Sequence, residues 1–284
     1  MERITFINSR GDQISFTNSV YKLITIEGFG DVVADIQTEK SPSQDGGTFI
    51  DAVLEERPIS LELKIKGADY NEVVRNRNRM SSVMNPKLGL GKLKVETDEI
   101  TKYIDCIADS VPYYPSGSRN RGVNWQRALV SLRCPDPYWK SDDITEQPTF
   151  EPLFQFPFEG EFEMGIQRDE RIIINEGDAP APLRIEFYGP AANPIITNVT
   201  TGEFIKVNRT LGEGEYMRID TTDGRKSVEF VAPDGSVTNV FGWIDLDSTF
   251  FKLVMGENHI VYSADSDIQG AIVNISYRKL YAGV

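Results

Sequence analysis

Residues 172–204 read IIINEGDAPAPLRIEFYGPAANPIITNVTTGEF, and the fold turns on how this run is read. Residues 172–174 form an apolar run stopped by Asn175-Glu176-Gly177-Asp178. Leu183, Ile185 and Phe187 then alternate with Arg184, Glu186 and Tyr188. A two-residue period sends successive side chains to opposite faces, so one face of this segment is apolar. Gly189-Pro190 and Asn193-Pro194 break the chain twice. The same grammar predicts strands over 215–220, 227–231, 237–244, 250–254, 259–263 and 271–278. Asp223-Gly224 and Asp234-Gly235 supply tight hairpin turns, because glycine accepts positive φ. No segment here keeps a helical period. The pattern predicts an antiparallel β-sandwich of jelly-roll type.

Outward from this run, the first half reads differently. Ile4 and Phe6, then Ile14 and Phe16, flank a hairpin-like Gly11-Asp12, and a third strand follows from Tyr21 to Glu27. Gly28-Phe29-Gly30 lacks the third glycine and the following helix of a dinucleotide loop, so it reads as a turn. Residues 38–56, TEKSPSQDGGTFIDAVLEE, form a long polar stretch without convincing period; loops of that length are usually functional or disordered. Ile59, Leu61, Leu63 and Ile65 then line one face of a clean strand.

The one helical pattern spans 70–84. Asp69 caps its first turn, with Glu72 placed as in a capping box. Tyr70, Val73, Val74, Met80, Val83 and Met84 form its stripe, and Asn85-Pro86 stops it. Arg77 sits inside that stripe, either as a stem packed on the core or as an ion-pair partner for a neighbouring subunit. Residues 92–96, 102–108 and 125–134 are further strands, the last ending at Cys134-Pro135-Asp136-Pro137-Tyr138-Trp139.

Those prolines place a boundary between a domain at 1–139 and one at 140–284. Length agrees, since 284 residues suit about two domains. Charge agrees too: residues 1–139 hold 18 Lys+Arg against 19 Asp+Glu, a net of −1, and 140–284 hold 12 against 24, a net of −12. An acidic second domain argues against a nucleic-acid surface, which needs Lys and Arg for phosphate. No apolar run is long enough to span a membrane, and the first residues do not form a secretory signal, so a soluble protein is expected. Cys106 and Cys134 read as two buried free thiols from a reducing compartment in preference to a disulfide. Phe150, Phe154, Phe156, Phe158 and Phe162 make the stretch after the boundary too aromatic for a free linker; it is expected to pack on the second domain.

Several ordered marks resemble one family. In the second half these are Asn175-x-Gly177-Asp178, Pro182, Gly189-Pro190, Asn193-Pro194 and Thr200-Thr201-Gly202. Leu211-x-x-Gly214-Glu215, Ile219-Asp220-Thr221 and Ser248-x-Phe250-Phe251-x-Leu253-x-x-Gly256-x-Asn258 follow. In the first half they are Glu56-Arg57-x-Ile59, the capped helix running into Asn85-Pro86, and Cys134-Pro135-Asp136-Pro137-Tyr138. Together they resemble the distal tail (Dit) proteins of siphophages over nearly the whole chain. The resemblance implies an N-terminal β-barrel-like domain with one helix, which builds a hexameric ring continuing the tail tube. It implies a galectin-like C-terminal sandwich projecting outward, with a tail-associated hub or lysin protein docked beneath and receptor-binding or baseplate proteins as further partners. The implied location is the virion tail tip, assembled in the cytoplasm of the host bacterium.

The rival reading is a carbohydrate-binding jelly-roll module contributing to host recognition, with Trp243 or Tyr113-Tyr114 as aromatic platform, although Trp243 also reads as core. An enzyme is not expected. His259 is the sole histidine and lies at a turn into a strand, where a structural role fits better than a triad. No Cys/His cluster offers a zinc site, and Asp220-x-x-Asp223-Gly224 and Asp245-x-Asp247 do not make an EF-hand loop, so no metal or other cofactor is expected. The residues singled out for function are those of subunit contact: Phe49, Ile50, Val53 and Leu54 in the 38–56 segment, read either as an arm hinged at Gly46-Gly47 or as a cluster folded back on its own domain, together with Arg77.

Overall fold

The computed structural model describes residues 2–146, 170–265 and 272–284. The stretch carrying Phe150 to Phe162 lies outside these. The described chain divides into two compact units, 1–141 with 281–284, and 142–280. Residues 281–284 thus belong with the first unit, which the sequence pattern does not reveal.

The first unit is a mainly antiparallel sheet whose main path runs Gln13–Ser15, Arg3–Ile7, Gly91–Glu96, Thr101–Ala108, Trp125–Cys134, Arg57–Lys66, Tyr21–Glu27. Its spine is the pairing of Arg57–Lys66 with Trp125–Cys134, ten residues matched to ten without a slip. Alternation sets the register: Ile59, Leu61, Leu63 and Ile65 face inward with Ala128, Val130, Leu132 and Cys134, all buried. Among the described residues the two outer strands of the path meet at a single bridge, Thr17 with Lys22, so the sheet is barrel-like rather than a closed barrel. The helix Tyr70–Val83 packs Val73, Met80 and Val83 onto it, while Tyr70 stays exposed. Asp69 accepts from the Glu72 N–H, and the Glu72 carboxylate accepts from Ala68 N–H, one residue earlier than a capping box requires. Cys106 and Cys134 are free, buried and adjacent; the hydrogen bond with Cys134, then burial, push the Cys106 thiol well above its ordinary value.

The second unit is a sandwich. One sheet orders Ile144–Glu146, Val273–Tyr277, Leu183–Tyr188, Tyr216–Asp220, Ser227–Val231, Val237–Asn239; the other orders Glu170–Asn175, Gly256–Ser263, Ile195–Asn198, Glu203–Lys206. Both inner faces feed one core, in which Ile185, Phe187, Met217 and Ile275 meet Ile173, Ile196, Ile260 and Tyr262. Fully burying each large apolar side chain contributes about 1.5–3 kcal/mol. Two expected strands are corrected. Over 237–244 the strand stops at Asn239, and Phe241–Trp243 forms a single 3-10 turn. Over 250–254 there is no strand: Phe251 and Leu253 alternate inward as strand residues would, but among the described residues the backbone pairs only once, Leu253 with Ala181.

Candidate functional site

The 38–56 segment is not an irregular loop. Ala34–Glu39 and Thr48–Leu54 pair with each other as a two-stranded antiparallel ribbon that joins no larger sheet among the described residues. Glu55 N–H bonds back to the Val33 carbonyl at its root, 2.9 Å. At its tip Ser41 N–H donates to the Gln44 side chain (3.1 Å) and Gln44 N–H to the Ser41 carbonyl (3.1 Å). Gly46 takes φ +79° there, so Gly46-Gly47 serves as part of a reversing turn.

The register decides which candidates share a face. Phe49 lies opposite Thr38, Ala52 opposite Ile36 and Leu54 opposite Ala34, which gathers Phe49, Leu54 and Ile36 on one side. Val53, opposite Asp35, points to the other. The pairing slips between Gln37 and Thr38, and Ile50 is the extra residue of that bulge. Ile36, Phe49, Ile50 and Val53 are all more than half exposed, at 62%, 63%, 57% and 51%; Leu54 is half-buried. Ile36 was missed in the sequence because polar residues surround it; its signal was the β-branched spacing shared with residues 48–54.

Arg77 is not brought to the ribbon. Its guanidinium lies over the Tyr114 ring, 4.5 Å from the centroid, its Nε is buried without a hydrogen-bond partner among the described residues, and the Tyr114 hydroxyl donates to the Arg77 carbonyl (2.9 Å). Burial raises the Tyr114 phenol above its ordinary value. Tyr114 is therefore engaged within the first unit, whereas Tyr113 is exposed. Trp243 is half-buried against Phe230 (ring centroids 5.6 Å) and under the Arg209 guanidinium (4.7 Å), outside any strand. His259 pairs with the Glu170 carboxylate at 3.1 Å on a sheet surface. Among the described residues no group of three or more His, Cys, Asp or Glu is placed to hold a metal ion, and no helix is long and apolar enough to cross a membrane.

Two family models match the chain: the phage tail protein RIFT-related domain over residues 9–134, and the siphovirus-type tail component C-terminal domain, named for SPP1 Dit, over 176–281. The matches follow one another in the order the two units take. The chain belongs to the distal tail (Dit) family of siphophages. Dit-family membership makes it a structural protein of the phage tail tip or baseplate. Among solved structures, the Dit protein of phage SPP1 superposes with a TM-score of 0.69 over 99% of both chains at 11% identity. It is described as a paradigm of the hub adsorption apparatus in phages infecting Gram-positive bacteria. The activated baseplate of phage P2 matches at a TM-score of 0.51, covering 97% of this chain and 98% of that one, at 11% identity with calcium and 12% with strontium. At such identities the likeness speaks for the fold. No curated protein sequence matches the chain.

Proposed function

We propose that this Dit-family protein forms a ring, of six copies, that joins the tail tube to the host-adhesion apparatus. The first unit builds the ring and the second, a galectin-like sandwich, projects from it. The tail tube protein docks on one side and a tail-associated hub or lysin protein on the other, with receptor-binding or baseplate proteins attached around them. Assembly takes place in the cytoplasm of the host bacterium, and the protein acts without catalysis or cofactor.

The observation that carries this reading is the 34–54 ribbon. An isolated two-stranded hairpin is at best marginally stable in water. This one exposes Ile36, Phe49, Ile50 and Val53 and, among the described residues, leaves two strand edges unpaired. Insertion into a groove of the next subunit covers both liabilities. A closed ring needs a heterologous contact, one patch meeting a different patch, and an arm supplies it. Because apolar side chains lie on both faces, the groove must grip the ribbon from two sides.

Deleting residues 42–53 from the full chain and measuring mass by light scattering tests this. The deleted protein should be a folded monomer under conditions where the parent is a ring; a full-size ring without these residues removes the arm from the account. A glycan array on the same full chain addresses the rival class, and specific sugar binding by a protein that forms no ring would favour it.

A further inference from the structure

The ribbon leaves the body of the first unit just after the Gly28–Gly30 turn and returns just before Arg57. Arg57 is fully buried. Its Nε donates to the Pro137 carbonyl (2.8 Å), and Nη1 to the carbonyls of Gly28 (2.9 Å), Phe29 (3.2 Å) and Asp31 (2.9 Å). Nη2 donates to the carbonyl of Ala282. Among the described residues every hydrogen bond of this guanidinium goes to backbone. A buried ion costs several kcal/mol unless its donors are all met. The guanidinium carries five N–H donors in a rigid planar fork, so the carbonyls must come to it. Burial draws its pKa below the ordinary arginine value.

Three separate parts of the chain are thereby pinned to one side chain: the ribbon's outgoing root, the turn that closes the first domain, and residues made only after the whole second unit. Neighbours reinforce each arm of the knot. Trp139 donates to the Phe29 carbonyl (3.1 Å) and its ring meets Phe29 edge-on, centroids 5.1 Å apart. Lys102 donates to the Gly283 carbonyl (3.1 Å) and lies 4.0 Å over the Tyr281 ring. Gly28 has φ +90°, and a Cβ there would stand 2.1 Å from the Pro58 carbonyl oxygen, so the turn is fixed tightly against the start of the returning strand.

We infer that Arg57 positions the root of the ribbon, and that it does so only once residues 281–284 have returned to the first unit. The arm is then aimed for assembly only in a chain that has been completed through its second domain. Without the Ala282 carbonyl, Nη2 of a buried cation loses its acceptor, and the remaining carbonyls, which belong mostly to the ribbon root, can no longer hold the fork in one place. This inference rests on the ribbon being the assembly arm.

The test compares the full chain with a form lacking residues 281–284, with Arg57→Met and with Arg57→Lys. Amide exchange is followed at residues 28–34 and 54–57, and ring formation by light scattering across a dilution series. In the truncated form root amides should exchange about 10- to 100-fold faster, the cost of unmaking one charged hydrogen bond. Protection elsewhere in the first unit and over 172–263 should stay unchanged, and ring formation should need about tenfold more protein. Arg57→Met should behave alike, and Arg57→Lys, which keeps the charge but not the fork, should fall between. If Arg57→Met does not fold, the truncated form decides. Root exchange equal to the parent's, or loss of protection spread over the whole first unit, overturns the inference. A monomeric parent chain would instead overturn the ring and leave the exchange result to stand by itself.

Discussion

Asn258 is the residue on which one end of the sandwich is hung. It is fully buried; its amide donates to the carbonyls of Val254 (2.8 Å) and Gly256 (3.0 Å), and its Oδ1 accepts from Val254 N–H (2.9 Å) and from Asn198 (3.2 Å). Asn175 does similar work for Ala179 and Leu253. Both asparagines are among the marks that carried the family resemblance, and the structure gives those marks a folding role. Asn258→Ala leaves several buried backbone groups without partners, so it should cost the second domain about 2–4 kcal/mol in urea unfolding. A loss below about 0.5 kcal/mol, the size of a surface change, would contradict this. In the first unit Lys140 binds Asp105 (2.7 Å) and Asp136 (2.8 Å). Burial lowers its pKa, but the hydrogen bonds and charges of the two aspartates outweigh burial and hold the ammonium above its ordinary value of 10.5. A folded pKa above the unfolded one means the contribution is complete at neutral pH and fades as pH rises through the folded value. Lys140→Met should therefore cost about 1 kcal/mol at pH 7, and the gap to the parent should narrow as pH rises through the folded value of the lysine. A gap that narrows on acidification toward pH 6 would show that the lysine is not the titrating partner.

At the scale of elements, the ribbon is where the fold was hardest to read. Leu183–Tyr188 and Arg57–Lys66 were legible because one face of each is buried, which forces a two-residue period. The ribbon buries neither face, so no period was selected, and the bulge at Ile50 breaks what alternation remains. Residues 250–254 misled in the opposite way. Phe251 and Leu253 point inward with the right spacing, yet alternation reports burial rather than ladder pairing. The Arg57 knot was illegible for a third reason: its acceptors are backbone carbonyls, which any sequence possesses. If exposed apolar side chains on the ribbon make the subunit contact, Ile36→Ser with Phe49→Ser should leave the melting temperature of the isolated subunit within about 2 °C, since neither side chain is part of a core. Ring formation should weaken at least tenfold in light scattering. An unchanged ring would move the contact to the strands or the helix bearing Arg77.

For the whole molecule, two cores with little shared sequence suggest two folding units. Residues 140–284 alone should give an acidic monomer that melts cooperatively by circular dichroism, and a non-cooperative profile would argue against independence. Residues 1–139 alone should keep their fold but exchange faster at the ribbon root than in the full chain, because the Ala282 acceptor of Arg57 is then missing. The central claim is the ring, and the most direct measurement is the mass of the full chain in solution together with negative-stain images. Six copies of a 31.9 kDa chain predict a species of about 190 kDa with a central hole and outward lobes. A particle of 31.9 kDa at every concentration would contradict it.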